Sequence, residues 1–313
     1  MYAIGVDIGG MSIKAGLVKD GRIIADNRRV TASTAEESVK NLIVQINDLL
    51  SENSLTLNDI AGIGIGCPGL ISSKEGVVCH ISTMKWHDFP IVGILKKTFN
   101  TKIAISNDAN VAALGEATFG AGKTYKNSVM LTLGTGIGGG LIIDNKIYEG
   151  GFSKGAELGH MVIKIGGESC GCGRRGCLES YASATALIRM TKKAMEENHE
   201  SLMWKFVDGD INKVDGRTSF ECAKKGDKAA NQVVNDFVMY LSEGIMNLAN
   251  IFRPEAFIIG GGVSAQGRYL TDKLTAYCEK FDFGYESAPK SEIVPATLGN
   301  DAGIIGAAAL VMQ

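Results

Sequence analysis

Proline is scarce in this chain, five among 313 residues, and no long apolar run occurs. Forty glycines with so few prolines, and with no repeat period, argue against collagen-like or disordered sequence. They point instead to tight strand turns and phosphate-type loops. No apolar run approaches the roughly 20 residues of a membrane-spanning helix. The N-terminus opens on Tyr2-Ala-Ile-Gly-Val6 and lacks the basic segment and small-residue cleavage site of a secretory signal. Net charge is −2, so there is no general pull towards nucleic acid or an anionic membrane. Seven cysteines, an odd number, fit a reducing cytoplasm better than a disulfide framework. The expectation is a cytoplasmic protein with neither nucleic-acid nor membrane partners. A hydrophobic fraction of 45% over this length suffices for two cores.

What the sequence does contain is a cysteine cluster. Cys170, Cys172 and Cys177 fall within eight residues, and His160 lies ten residues upstream. One imidazole and three thiolates are the four ligands of a tetrahedral structural zinc site, which leaves no open position for water activation. Gly171, Gly173 and Gly176 allow the backbone to wrap around such an ion. Glu157 and Glu179 border the cluster. They read either as solvated surface carboxylates or as hydrogen-bond acceptors, fixed by the metal, for a polyol; their position does not choose.

Taken in order, residues 3–7, 12–18 and 22–30 read as strands, and Glu36–Asn53 as an amphipathic helix capped by Ser33 or Thr34. Strands are expected at 60–66 and 102–106 and a helix at 108–117. The second half repeats the pattern. At an offset of 124, Gly10 falls on Gly134, Gly16 on Gly140, Asp20 on Asp144 and Ile23 on Ile147. The run Asn107-Asp-Ala109 recurs as Asn300-Asp-Ala302 before a C-terminal helix. This predicts two duplicated α/β domains facing each other across a cleft: 1–118, with the helix at about 300–313 packing back on it, and 119–299, carrying the zinc loop 157–179. Ligands commonly lie between domains.

Each half offers a glycine turn. Asp7-Ile-Gly9-Gly10 and Gly134-Thr135-Gly136 leave backbone N–H groups open to phosphate oxygens, although such turns are more often only turns. No Gly-Lys-Ser/Thr follows, so neither is a P-loop. With the triplet Gly260–Gly262 they fit a nucleotide, and Asp7 could hold Mg²⁺. Phosphoryl transfer to an alcohol needs a carboxylate to accept the proton. Asp108 and Asp301 both stand at strand-to-helix junctions, where helix capping is the commoner role. Asp108 belongs to the half expected to face Glu157 and Glu179, so it is the expected base, with Asn107 beside it as a sugar hydrogen-bonder.

The motifs Asp7-Ile-Gly-Gly10, Cys67-Pro-Gly69, Asn107-Asp-Ala-Asn-Val-Ala-Ala113, Leu133-Gly-Thr-Gly-Ile-Gly-Gly-Gly140, Glu157-Leu-Gly-His160, Cys170-Gly-Cys-Gly-Arg-Arg-Gly-Cys177-Leu-Glu179 and Gly260-Gly-Gly262 resemble the ROK family of sugar kinases and repressors, within the actin/Hsp70/sugar-kinase fold. The resemblance spans nearly the whole chain. It implies an ATP- and Mg²⁺-dependent hexose kinase of glucokinase type. Asp108 is then the base towards the sugar 6-hydroxyl. Gly69, Asn107, Glu157, His160 and Glu179 bind the sugar, with His160 joining zinc to substrate. Asp7, Gly9, Gly10, Ser12, Gly134, Thr135 and Gly136 serve the metal and phosphates, and Gly261 and Gly262 the adenosine. A homodimer or homotetramer is also implied. Two departures stand out. Met11 replaces the family's Thr after the first glycine pair, and a thioether donates no hydrogen bond. Ser82 or Thr83 stands in for the family's Asn near Trp86.

Kinases of N-acetylmannosamine, fructose or allose remain as alternatives, as does polyphosphate as donor. A non-catalytic sugar-sensing regulator of the same family would need a helix-turn-helix, and none precedes the first strand. The apolar face of residues 227–252 (Val233, Phe237, Leu241, Ile245) reads as core. Cys67, Cys79, Cys222 and Cys278 read as buried thiols, and His80, His87 and His199 receive no partner or role.

Overall fold

The computed structural model describes every residue except Ser82, Tyr285, Glu286, Ala288 and Gln313. The chain divides into two units. Unit 1 comprises residues 1–128, 140–156 and 297–313, and unit 2 comprises 129–139 and 157–296.

Unit 1 is built on strands β1 (Tyr2–Ile8), β2 (Ser12–Lys19), β3 (Arg22–Val30), β4 (Ile60–Cys67) and β8 (Ile103–Asn107), in the order β3-β2-β1-β4-β8. The first three strands are antiparallel neighbours, while β1, β4 and β8 run parallel. A smaller sheet holds β5 (Leu70–Ser72), β6 (Val77–Ile81) and β7 (Trp86–Phe89). Helices α1 (Ala35–Glu52), α2 (Ile91–Leu95) and α3 (Asp108–Phe119) follow their strands. Thr34, one of the two expected caps, accepts from the Glu37 N–H at 3.2 Å. Val39, Leu42, Ile46, Leu49 and Leu50 bury one side of α1 against Ile4, Val6 and Ile63 in a single core.

The second sheet contains β9 (Ser128–Leu133), β10 (Ile137–Ile143), β11 (Lys146–Ile147), β12 (Ala256–Gly260) and β13 (Glu292–Pro295). Its order, β11-β10-β9-β12-β13, repeats that of the first sheet strand for strand. The division between the units falls within β10, after Gly139. Unit 2 adds α4 (Glu179–Ala182), α5 (Ala184–Glu197), α6 (Leu202–Phe206), α7 (Thr218–Ala223), α8 (Lys228–Phe252) and α9 (Arg268–Phe281). Val233, Val234, Phe237, Leu241, Ile245 and Leu248 of α8 are all buried, so this face is core, as expected.

The last helix, α10 (Ala302–Met312), lies in unit 1 against β1, β4 and α3. Its approach is set by glycines. A Cβ at Gly5 would stand 1.9 Å from the Ile304 carbonyl oxygen, and one at Gly64 1.7 Å from that of Ala307. On the α3 side, a Cβ at Gly306 would stand 1.7 Å from the Val111 oxygen. The high glycine content thus serves, besides turns, a second purpose that composition did not suggest: at Gly5, Gly64 and Gly306 it allows backbone-to-backbone contact without intervening side chains. Among the described residues, no helix is long and apolar enough to cross a membrane.

Two expectations are corrected here. His80 and His87 are partners, with Nδ1 to Nδ1 at 3.1 Å across β6 and β7. Cys79 is only half-buried, unlike Cys67, Cys222 and Cys278.

Candidate active site

In unit 1 the candidate residues gather at the carboxyl ends of three adjacent parallel strands. Asp7 is paired in register with Gly66, and Cys67 with Asn107. Ligands of open α/β sheets bind at such ends. Asn107, not Asp108, caps α3: its Oδ1 accepts from the N–H groups of Ala109 (2.9 Å) and Asn110 (3.4 Å). Its Nδ2 donates to the Gly69 carbonyl at 3.1 Å, which ties the Pro-Gly turn to the helix start. Gly69 has φ +86°, and a Cβ there would meet the His80 oxygen at 2.3 Å, so only glycine fits.

With capping done by its neighbour, Asp108 is free for chemistry. Its Oδ1 accepts the adjacent Ala109 N–H at 2.9 Å, and its carboxyl also draws on the Asn107 side chain and its own backbone. The residue is exposed at the surface, yet its carboxyl is crowded by surrounding protein, and the crowding is what acts on its charge. Burial pushes its carboxyl above the ordinary carboxylate range, the Ala109 N–H partly offsets this, and the Asp7 charge raises it further. Asp7 is also pushed up by burial and pulled back by Lys14, whose Nζ lies 3.6 Å from Oδ2. Cys67 sits beside both acids. Burial and then the charges of Asp108 and Asp7 drive its thiol well up, so it stays protonated and inert.

The first glycine turn is closed by the Gly9 N–H to the Ser12 carbonyl, at 2.9 Å. Thr31, which no sequence signal singled out, braces it: its hydroxyl donates to the Gly9 carbonyl at 2.6 Å, and its N–H to that of Met11 at 3.1 Å. The Met11 side chain is 83% exposed, so this residue contributes its backbone to the turn and leaves the thioether in solvent. A Cβ at Gly10 would meet nothing within 4 Å, which leaves room beside the backbone there. Thr83 is exposed, and Ser82 lies outside the described residues.

In unit 2, Glu157, which is exposed, begins a short 3₁₀ turn, Leu158–His160, in which the His160 N–H donates to the Glu157 carbonyl. Gly159 lets this turn lie on β10, since a Cβ would meet the Ile137 oxygen at 2.2 Å. The four expected metal ligands come together: one ligand atom each from His160, Cys170, Cys172 and Cys177 lies within 4.8 Å of the others. His160 Nδ1 is 3.5 Å from Cys170 Sγ, and Cys172 Sγ is 3.7 Å from Cys177 Sγ. Metal–ligand bonds of about 2.0 Å (N) and 2.3 Å (S) give tetrahedron edges of roughly 3.5 Å for N to S and 3.8 Å for S to S. The cluster therefore has the dimensions of a zinc site. Burial pushes the Cys177 thiol up to about 12, so its thiolate form needs a cation beside it. Gly173 and Gly176 take left-handed φ of +88° and +86°, while Gly171 does not, so only two of the three glycines make the wrap.

The second glycine turn is held by the segment that follows the cysteines. Glu179 Oε2 accepts the Ile137 N–H at 3.0 Å. The Ala184 N–H donates to the Gly134 carbonyl, and the Thr185 hydroxyl to that of Thr135, both at 2.8 Å. A Cβ at Gly136 would stand 2.2 Å from Glu179 Oε2, so a side chain there would displace that carboxylate. Gly261, with φ +79°, lies against the Leu133 backbone just before this turn, and Gly262 has open space beside it. The turn and the glycine pair thus adjoin at the ends of β9 and β12.

A model of the ROK family matches residues 3–313. The chain belongs to the ROK family. A glucokinase of Thermotoga maritima is 37% identical over 319 residues, 99% of this chain and 97% of that enzyme. A xylose repressor of Bacillus spizizenii is 29% identical over all of this chain but 77% of its own length. A ROK glucokinase of Streptomyces griseus, solved with glucose and AMPPNP, superposes with a TM-score of 0.83 at 34% identity over the whole of both chains. The mixed α/β fold of the present chain, with its Cys/His cluster, is thus a ROK fold throughout.

Proposed function

We propose that this ROK protein is an ATP-dependent hexose kinase that phosphorylates the 6-hydroxyl of glucose. The observation that carries the reading is Asp108, released from capping by Asn107 and held at the strand ends with a carboxyl raised by burial and by Asp7. A base whose pKa is lifted towards the working pH suits proton abstraction from an alcohol. Full-length similarity to glucokinases, one of them solved with glucose and an ATP analogue, supports the same substrates.

In this reading Asp108 takes the proton of the 6-hydroxyl as that oxygen attacks the γ-phosphorus; the bond to the β-phosphate bridging oxygen breaks and ADP leaves. Asp7 would hold Mg²⁺, directly or through water, and that charge would offset the charge of the phosphates. The two glycine turns meet phosphate oxygens with backbone N–H groups, and Gly261 and Gly262 make room for the adenosine. Gly69, Asn107, Glu157, His160 and Glu179 take sugar hydroxyls. His160 faces Cys170 through Nδ1, which leaves Nε2 for a hydroxyl. The cluster His160, Cys170, Cys172 and Cys177 holds zinc as a closed structural site. The residues of 1–118 and of 119–299 act as the two functional halves of a homodimeric or homotetrameric enzyme.

The test is ADP release from MgATP by zinc-replete protein with glucose, mannose, fructose, N-acetylglucosamine or N-acetylmannosamine, beside Asp108→Asn. Turnover with glucose should fall about 10²–10⁴-fold in the variant while glucose still binds. Near-normal turnover in Asp108→Asn would move the base elsewhere. Sugar binding without turnover by the parent would favour the regulator suggested by the repressor relatives.

A further inference from the structure

Glu179 borders the metal cluster, yet its firmest contact points elsewhere. One carboxylate oxygen, Oε2, accepts the Ile137 N–H at 3.0 Å, directly after the Gly134-Thr135-Gly136 turn. The other, Oε1, stands 3.6 Å from Cys170 Sγ. The same carboxylate fills the space a side chain would take at Gly136. Two further bonds come from the same stretch of chain. The Ala184 N–H and the Thr185 hydroxyl occupy the carbonyls of Gly134 and Thr135. Within seven residues, 179–185, the chain thus makes three hydrogen bonds with the stretch 134–137, one each to Gly134, Thr135 and Ile137.

The stretch is in turn fixed to the cysteine loop. Leu178 donates its N–H to the Met161 carbonyl at 2.8 Å, and Cys177 bridges to Val162. Carbonyls that are already occupied cannot swing outward, and an N–H held by a carboxylate cannot reorient. A turn pinned this way keeps its remaining N–H groups in one arrangement, which spares a bound phosphate the ordering cost that a loose glycine loop would impose.

We infer that Glu179 is a positioning residue for the nucleotide: its carboxylate, with Thr185 beside it, locks the Gly134–Gly136 turn into the conformation that receives phosphate, in addition to any hydroxyl it binds. The inference rests on the nucleotide reading of that turn. It departs from a sugar-only role for Glu179, in which nucleotide affinity without sugar would not depend on this residue.

Two readouts separate the inference from the reading beneath it. Hydrogen exchange of the backbone over residues 133–139 reports the turn itself. Calorimetric titration with Mg²⁺-AMPPNP, without sugar, reports what the turn binds. In Glu179→Ala, exchange over 133–139 should accelerate and nucleotide affinity fall about tenfold, the scale of one lost hydrogen bond to a charged acceptor. Glu179→Gln retains an acceptor oxygen and should stay within about twofold of the parent for the nucleotide. Thr185→Val touches neither cysteines nor carboxylates. It should weaken nucleotide binding severalfold and leave glucose affinity unchanged, which keeps the test valid if Glu179→Ala folds poorly. Unchanged exchange in Glu179→Ala would overturn the positioning role. Accelerated exchange with unchanged nucleotide affinity would instead remove the turn from the nucleotide site.

Discussion

Asp108 and Asn107 divide between them two tasks that a single residue at a helix start often combines. Asn107 accepts from the Ala109 and Asn110 N–H groups of α3, and Asp108 keeps only local hydrogen bonds and a raised carboxyl. The raised value has a stability consequence of definite sign. A carboxyl raised on folding binds its proton more tightly in the native state than in the unfolded chain. Its contribution is therefore favourable below the unfolded value and is lost as pH rises through the native one. At neutral pH the ionised Asp108 costs stability. Asp108→Asn should raise the thermal midpoint at neutral pH, and the gain should shrink as pH falls to about 4, the ordinary aspartate range. Paired melting curves at the two pH values check this, and an equal or lower midpoint at neutral pH would contradict it. In the parent enzyme, the acid limb of kcat should lie above that same range, because the base must be ionised. The residue types of this site were legible in the sequence. The raised carboxyl was not, since its cause is the protein packed around it and the nearness of Asp7, a hundred residues away in the chain.

Among the elements, the loop from Glu157 to Glu179 was the most legible. Metal ligands need fixed atom types at short spacing, so three cysteines and a histidine announce themselves without any fold. The structure added the distances and showed that one of the three glycines takes no special conformation. Zinc-replete protein should carry about one zinc per chain, and Cys172→Ser should lose it. Because His160 serves both metal and sugar in this reading, glucose affinity should fall together with the zinc, about tenfold or more when measured by titration calorimetry. Loss of zinc with unaltered glucose affinity would break that link. The glycine turns were legible as turns, but not the groups that pin them. Thr31 brings a hydroxyl from the end of β3, and Thr185 one from the start of α5. Threonine is common and carries no motif, so only the tertiary structure could select these two. His80 and His87 are a similar case: seven residues apart, they meet only because β6 and β7 pair in that register.

At the scale of the molecule the chain passes between its two units four times, at residues 128/129, 139/140, 156/157 and 296/297. Unit 1 is therefore completed by the last segment of the chain. Ile304, Ala308 and Val311 of α10 share a buried cluster with Ala3 and Val18, and the helix closes on Gly5 and Gly64 with no room for a methyl group. Removing residues 301–313 would uncover this face of the first sheet and leave those strand glycines without a partner. The truncated protein should lack a cooperative thermal transition and near-ultraviolet dichroism. A truncated protein that melts cooperatively near the parental midpoint would show that α10 is dispensable.

By itself the sequence determined the duplicated α/β plan, the four candidate metal ligands and the chemical identity of the candidate base. Each of these is written in local spacing: alternating apolar runs, glycine turns at a constant offset, and side chains whose chemistry is independent of their surroundings. Tertiary structure alone decided which glycines serve close packing, which of Asn107 and Asp108 caps the helix, and that Glu179 reaches back to the Gly134–Gly136 turn. Those outcomes depend on contacts between residues far apart in the chain, and hydrogen bonds and steric exclusion act only over a few ångströms, so they exist only once the strands and helices have been brought together.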